Sequence, residues 1–459
     1  MTSSEFNKKY GLSQSLQGKD LFTRVPYNIN NFTNVAGKPK KLPVEIFKRF
    51  FSNWATVLFT IIFLTVLIIS LVVTFASPFN PNLKVSLTYE FNVPIDGKIV
   101  KVKGSDAVNL LPPVYKEYVL SSIYPNSSFY AEVIKGLSTL YNPDPENQAT
   151  GNLLKWYLNG HKTLQDTGLI KIVPTPTGSS ELYVNAYKFY ELSNIIIFLN
   201  RMNLPQNASV EQIADAVKVL RQANPDNPNF GIPTYFGTNS IGIDIWTSSW
   251  VGTWNAIRLA LITATLQTVI GVAVGSYLGF HVGSKIDTII MRLIEIFVAP
   301  PTLIWLLLFA STFGTSDTTL ILALVFTGWT GAVGGTRMYI ITVKDSEFIT
   351  ASKSIGASKA RLIYKHTLPA IIGKIATSYV NRIPGIILSV SSLAFLGFFR
   401  GDNANLGALL SSAPKEASNN FLILFLPSMI LLSISVSLHF IALGIHDALD
   451  PRVIRGKTN

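Results

Sequence analysis

Little in this sequence is arranged for covalent chemistry. The chain holds five histidines and no cysteine, so disulfides, thiolate zinc sites and cysteine nucleophiles are excluded. His281, His366 and His439 show no metal-ligand spacing, and a neutral, helix-packed role is expected of His439. There is no G-x-x-x-x-G-K-[ST] loop to cradle ATP phosphates, no H-E-x-x-H zinc pair and no G-x-S-x-G nucleophile turn. Arg292 and Glu295 stand three residues apart, in reach of each other on a helix. An interfacial ion pair is the expected role, because an acidic group deeper in lipid would cost about 2.5 to 3.5 kcal/mol.

The patterned segment is mechanical rather than chemical. Between two apolar runs, residues 343 to 369 are too polar for a bilayer yet ordered in their spacing. Asp345 or Ser346 suits the cap of a short helix with Phe348, Ile349, Ala351 and Ile355 as its apolar positions, and Gly356 suits the left-handed residue that ends it. Ser358 suits the cap of a second helix running to Leu368 and stopped by Pro369. Two short helices joined at a glycine make a rigid knuckle, able to present different contacts in two states. An amphipathic loop lying on lipid headgroups is the plainer alternative.

The elements that must hold this knuckle are membrane spans. Of 459 residues, 48% are hydrophobic and 14% charged, where a soluble domain carries about a quarter charged residues. The apolar residues gather into six runs: Trp54–Ser77, Leu259–Phe280, Leu293–Phe313, Thr319–Thr336, Ile375–Phe399 and Phe421–Ile445. A run of about 20 residues crosses the hydrocarbon core. The first is preceded by 53 residues, which separates it from a cleaved signal peptide. Gly271, Gly275 and Gly279 recur every four residues and offer a face for close helix packing. Pro300-Pro301 must bend or break the third run.

Charge sets the orientation. The first 53 residues carry nine lysines and arginines and residues 337–374 carry seven, which places both termini and the knuckle in the cytoplasm. Residues 84–253 hold 13 basic and 14 acidic residues, so the net charge of +12 is a topology signal and not a nucleic-acid surface. The expected organisation is a cytoplasmic tail (1–53), a first span (54–77), an extracellular α+β insert (78–253), the remaining five spans with the knuckle (254–446) and a cytoplasmic C-terminal tail (447–459). In the insert, Val85, Leu87, Tyr89, Phe91 and Val93 alternate as a strand does, and Asp96-Gly97 supplies a turn. Ser209 with Gln212 forms a capping box ahead of a helix whose apolar face is Val210, Ile213, Ala214, Val217 and Leu220, ended by Pro225.

At the knuckle the chain resembles ABC importer permeases, whose signature reads E-A-A-x-x-x-G, nine residues, then a position before x-Leu-Pro. Here these are Thr350, Ala351 and Ser352, then Gly356, then His366-Thr367-Leu368-Pro369. Phe236 to Asp244, Ser392 to Gly397 and Asp447 to Arg452 resemble segments of the oligopeptide and dipeptide branch, in particular its C-type subunit. Thr350 replaces the signature glutamate, Asn239 and Ile243 replace an acidic and a basic residue, and Val390 stands where glutamate is frequent. The resemblance covers residues 236 to 452 and part of the first span. It implies an all-α, six-span permease, not an enzyme, in the plasma membrane of a bacterium. It implies that Phe348, Thr350, Ala351, Ser352, Gly356, Ala357, Leu368 and Pro369 form the loop that couples to an ATPase. The implied partners are a second homologous permease in a heterodimer, two cytoplasmic ATPases that bind ATP and Mg, a solute-binding lipoprotein and oligopeptide substrate, with no cofactor on this chain. Nickel or another small solute as cargo, and a membrane-anchored receptor, are the alternatives.

Overall fold

The computed structural model describes residues 42–104, 111–120, 148–162, 164–176, 180–205, 208–232, 234–398, 405–417 and 420–449. The polar N-terminal tail to residue 41, the tail from residue 450 and Phe399 at the expected end of the fifth span lie outside them. The chain divides into two units, residues 1–49 and 50–459. The first holds all but the last residue of α1 (Leu42–Phe50), where Arg49 donates to Glu45 one turn earlier at 3.3 Å.

In the second unit, α2 (Trp54–Ala76) starts where expected because Asn53 Oδ1 accepts from the Ala55 amide at 3.0 Å. The alternating run from Val85 then splits. Val85–Thr88 is a single helical turn, α3, and only Glu90–Ile95, β1, is extended. Tertiary pairing overrides the alternation: the Val85 amide donates to the Gly242 carbonyl at 2.8 Å, tying this turn to the far end of the insert. Asp96 and Gly97 both take positive φ, 48° and 76°, as a tight two-residue hairpin requires. Ile95 accordingly faces Lys98, with β1 antiparallel to β2 (Lys98–Lys103).

A second sheet places β5 (Ser180–Asn185) between β3 (Tyr118–Leu120) and β4 (Ile170–Pro174), antiparallel to both. Helix α4 (Gln148–Leu158) lies between β3 and β4 in the chain. Helix α5 (Ala186–Arg201) serves two cores, one around Leu111, Leu169, Val184 and Phe189, the other around Phe91, Val93, Phe198 and Phe230. Helix α6 (Val210–Ala223) opens on the expected reciprocal box: the Ser209 amide donates to Gln212 Oε1 at 2.9 Å and the Gln212 amide to Ser209 Oγ at 3.2 Å. Ile213, Val217 and Leu220 are buried as expected, whereas Ala214 is exposed and Ala216 faces the core instead.

The remaining helices are α7 (Ile245–Phe280), α8 (Lys285–Val298), α9 (Thr302–Phe313), α10 (Asp317–Ile341), α11 (Glu347–Ser354), α12 (Lys359–Arg361), α13 (Leu368–Phe395), α14 (Leu406–Glu416) and α15 (Leu422–Leu449). By length and composition α2, α7, α10 and α15 are able to cross a membrane, and α8 with α9 makes a fifth if counted as one broken span. The break falls at Pro300-Pro301 as expected, with a bend of 73°. Helix α13 has 28 residues but includes Asn381 and the charges of Lys374 and Arg382, so it stands outside that group. Helix α7 starts at Ile245, ahead of the expected Leu259, so the expected insert boundary at 253 falls within a continuous helix. Asp244 caps it, accepting from the Thr247 amide at 2.7 Å, and Ser248 in its first turn donates to the Pro81 carbonyl at 2.9 Å.

Helix α2 packs on α15, where the Phe59 and Phe440 rings stack at 4.2 Å, and on α7, where Ser70 Oγ donates to the Trp250 carbonyl at 2.8 Å. Ile257, Leu324, Ile387 and Ile434 join α7, α10, α13 and α15 in one core.

Candidate functional site

Helix α11 is a short, capped unit that ends as expected. The Gly356 amide donates to the Lys353 carbonyl at 3.0 Å and the Ala357 amide to the Ser352 carbonyl at 3.1 Å. These two bonds, with Gly356 at φ +89°, make the Schellman closure. Ser346 has the extended backbone of a cap, but its hydroxyl donates back to the Val343 carbonyl at 2.7 Å, so α11 has no side-chain cap. Of the expected apolar positions, only Ile349 is buried. Phe348, Ala351 and Ile355 are exposed, Ile355 to 88%. Helix α11 thus seats one apolar residue and displays three.

Beyond Gly356, Ser358 Oγ accepts from the Arg361 amide at 3.4 Å. Pro369, expected to stop this second helix, does not stop it. Helix α12 runs through a π-helical stretch, Leu362–Thr367, directly into α13. Pro369 has no N–H for the carbonyl four residues back, and its ring would crowd that carbonyl in an α-helix. The wider π turn gives the ring room, and Thr367 Oγ1 donates to the Leu362 carbonyl at 2.9 Å. The knuckle is therefore α11, a glycine joint and the rigid N-terminal extension of α13. Leu362 and Ile363 are buried beneath it. Lys359 Nζ lies 3.2 Å from His281 Nε2, while His281 Nδ1 is 2.8 Å from the Tyr277 carbonyl. A carbonyl only accepts, so Nδ1 carries the proton and Nε2 accepts from Lys359. That contact ties the knuckle to the end of α7.

Gly271, Gly275 and Gly279 do form a close-packing face, and its partner lies in the same chain. A Cβ at Gly271 would stand 2.6 Å from the Ala332 carbonyl carbon, at Gly275 2.6 Å from the Val333 oxygen, and at Gly279 2.6 Å from Ile340 Cβ. Only hydrogen fits at these positions, so α10 lies directly on α7. Thr350, Ala351, Ser352, Gly356 and Ala357 cluster around the joint, whereas Leu368 and Pro369 sit at the opposite end of the π stretch. Arg292 and Glu295 pair at 2.6 Å on an exposed face, a geometry of little net energy.

One pair was not foreseen. Asp287, nearly fully buried, takes two bonds from Arg337, at 2.7 and 2.8 Å, and a third from the Gly283 amide at 3.0 Å. The Ser284–Asp287 cap was legible, but a partner 50 residues away was not. Among the described residues no group of three or more His, Asp or Glu side chains is placed to hold a metal ion.

Residues 271–455 match the family of binding-protein-dependent transport system inner membrane components. The chain is similar to the oligopeptide transport system permease proteins OppC of Mycoplasma pneumoniae, 40% identical over 225 residues, and Mycoplasma genitalium, 40% identical over 226 residues. Each alignment takes 48% of this chain and 59% of the relative. The dipeptide transport system permease protein DppC of Bacillus subtilis is 32% identical over 174 residues, 38% of this chain and 54% of its own length. The chain thus spans little more than half the length of these curated relatives.

Proposed function

We propose that this chain, matching binding-protein-dependent transport system inner membrane components over residues 271–455, is the membrane-spanning permease subunit of an ATP-driven oligopeptide importer. The observation that carries the reading is the knuckle, continuous with a long helix at one end and displaying Phe348, Ala351 and Ile355 at the other. A coupling element needs this combination of a partner-facing apolar tip and a stiff connection. Displacing the tip moves α13, which shares its core with α7 and α15.

On this reading α13 is a span too, the fifth of six in chain order, and the termini and knuckle are cytoplasmic, with the insert outside. Two ATPases receive the knuckles of this chain and of a second homologous permease and hydrolyse ATP with Mg. A lipoprotein delivers the peptide, and the insert helps to seat it. The test is reconstitution of all subunits in proteoliposomes with ATP inside and labelled peptide with the binding lipoprotein outside. Uptake that requires both ATP and this chain is expected. Uptake indifferent to ATP, or unchanged when this chain is omitted, would overturn the proposal.

A further inference from the structure

The insert contains a cleft unrelated to the knuckle. It has a volume of about 530 Å³ and lies among α4, α5 and α6, within the range of roughly 300–1,000 Å³ that small-molecule sites occupy. Trp156, Leu192 and Ile195 give it apolar wall, and Lys155, Lys188, Glu191 and Arg221 give it charge of both signs. Lys188 is committed elsewhere, its ammonium donating to the Thr167 carbonyl at 2.8 Å. Glu191 is half-buried in the lining, and among the described residues none hydrogen-bonds its carboxyl group. Arg221 and Lys155 are exposed residues of the lining. A ligand of one sign would meet its own charge in the lining, whereas a ligand carrying both signs meets a complement to each.

We propose that this cleft binds a zwitterion, an amino acid or short peptide with free amino and carboxyl ends, its ammonium pairing with Glu191 and its carboxylate with Arg221 and Lys155. Both ends of a peptide are independent of its sequence, so a site reading only the ends accepts many peptides. That the zwitterion is a peptide rests on the importer reading; the charge complementarity does not. Burial also pushes the Glu191 carboxyl up to about 7, against the pull of Lys188 and Arg221 and with a push from the Glu117 carboxylate; the Tyr157 hydroxyl faces it as well. A ligand ammonium stabilises the carboxylate, so binding at neutral pH expels part of a proton.

The experiment is calorimetric titration of the assembled complex in nanodiscs, without lipoprotein or nucleotide, using alanyl-alanine, its N-acetyl form and its C-terminal amide. Saturable binding of alanyl-alanine is expected, with about half a proton released at pH 7, seen as a heat that changes with the buffer's ionisation enthalpy. Either blocked form should bind at least about tenfold more weakly. Glu191→Gln should remove the proton release and abolish the preference over the N-acetyl form, and Arg221→Gln the preference over the amide. No saturable heat, or binding with no proton release in the wild type, overturns the assignment without recourse to a variant. So does binding that survives Glu191→Gln unchanged, which would locate the peptide elsewhere. Because neither ATP nor uptake enters the assay, this result and the test of the importer reading fail independently.

Discussion

Arg337 grips Asp287 through two parallel hydrogen bonds, Nε to Oδ1 at 2.7 Å and a terminal nitrogen to Oδ2 at 2.8 Å, and so fixes the start of α8 to the end of α10. The pair sits beside the glycine face, since a Cβ at Gly279 would stand 3.0 Å from the Arg337 carbonyl. Three helices, α7, α8 and α10, are locked at one level by a bidentate pair and a hydrogen-sized gap.

Removing one partner leaves the other charge enclosed. Asp287→Ala should destabilise this corner by about 3 kcal/mol, the low end of the range for a broken buried pair because Arg337 is partly open to solvent. Asp287→Ala with Arg337→Met should recover most of the loss. Thermal unfolding of the purified complex compares the three, and a double variant no better than the single one would show that the pair is not the lock.

Gly275→Leu should force α7 and α10 apart and lower the unfolding midpoint by the equivalent of about 1–3 kcal/mol, the usual consequence of overpacking. Gly334→Ala provides the contrast. It lies on α10 with nothing within 4 Å of a built Cβ, and helix propensity alone favours alanine there by about 1 kcal/mol. Equal effects of the two substitutions would remove the close-approach argument.

Asp244 caps α7 from a buried position, and desolvation pushes its carboxyl up to about 6 although bonds with Thr247 pull it down. A carboxyl raised on folding favours the protonated form in the native state. Stability is therefore greatest below the ordinary carboxylate value and declines as pH rises through about 6. Asp244→Asn keeps an acceptor for the Thr247 amide without the charge. Unfolding midpoints from pH 4 to 7.5 should fall for the wild type relative to this variant, by up to about 3 kcal/mol. Parallel curves would assign the decline to other groups.

Where the sequence was legible, the reason was local. Asp96-Gly97, the Ser209–Gln212 box, Gly356 and Pro300-Pro301 each determine a conformation within four residues, and each behaves as its type dictates. Two misreadings came from forces that act across the chain. Val85 and Leu87 alternate like a strand, yet Val85 is held by Gly242, more than 150 residues away. Pro369 reads as a stop, yet a π stretch admits its ring because α12 and α13 gain by remaining one helix. The glycine spacing points to close packing but does not say which helix lies against it; a Cβ at these positions would meet Ala332, Val333 and Ile340 of α10.

The π stretch carries its own consequence. Pro369→Ala supplies the missing amide and lets Leu362–Thr367 relax to an α-helix, removing its extra residue and rotating everything before it by about 100°. Phe348 and Ile355 would then point away from their present direction. On the proposed function, transport should fall while the complex remains at least as stable as wild type. Unchanged uptake together with a normal π stretch in the variant's structure would free Pro369 from this role.

Gly356 is the joint between α11 and the extension of α13. Its φ of +89° is a conformation that side chains rarely adopt, yet a built Cβ there meets nothing within 4 Å. The penalty for substitution is therefore purely one of backbone conformation, about 1–2 kcal/mol and greatest for a β-branched residue. Gly356→Val should open the Schellman closure and swing α11 off its Ile349 seat, whereas Gly356→Asn, which tolerates positive φ better, should be milder. A built Cβ at the joint meets no long helix, so assembly and thermal stability of the complex should stay near wild type in both. On the proposed function, peptide uptake and peptide-stimulated ATP hydrolysis fall together, more in Gly356→Val than in Gly356→Asn. A loop merely resting on lipid predicts no such order. Uptake and ATPase rate measured side by side on reconstituted complexes decide between them: near-normal values for Gly356→Val would leave α11 without a coupling role.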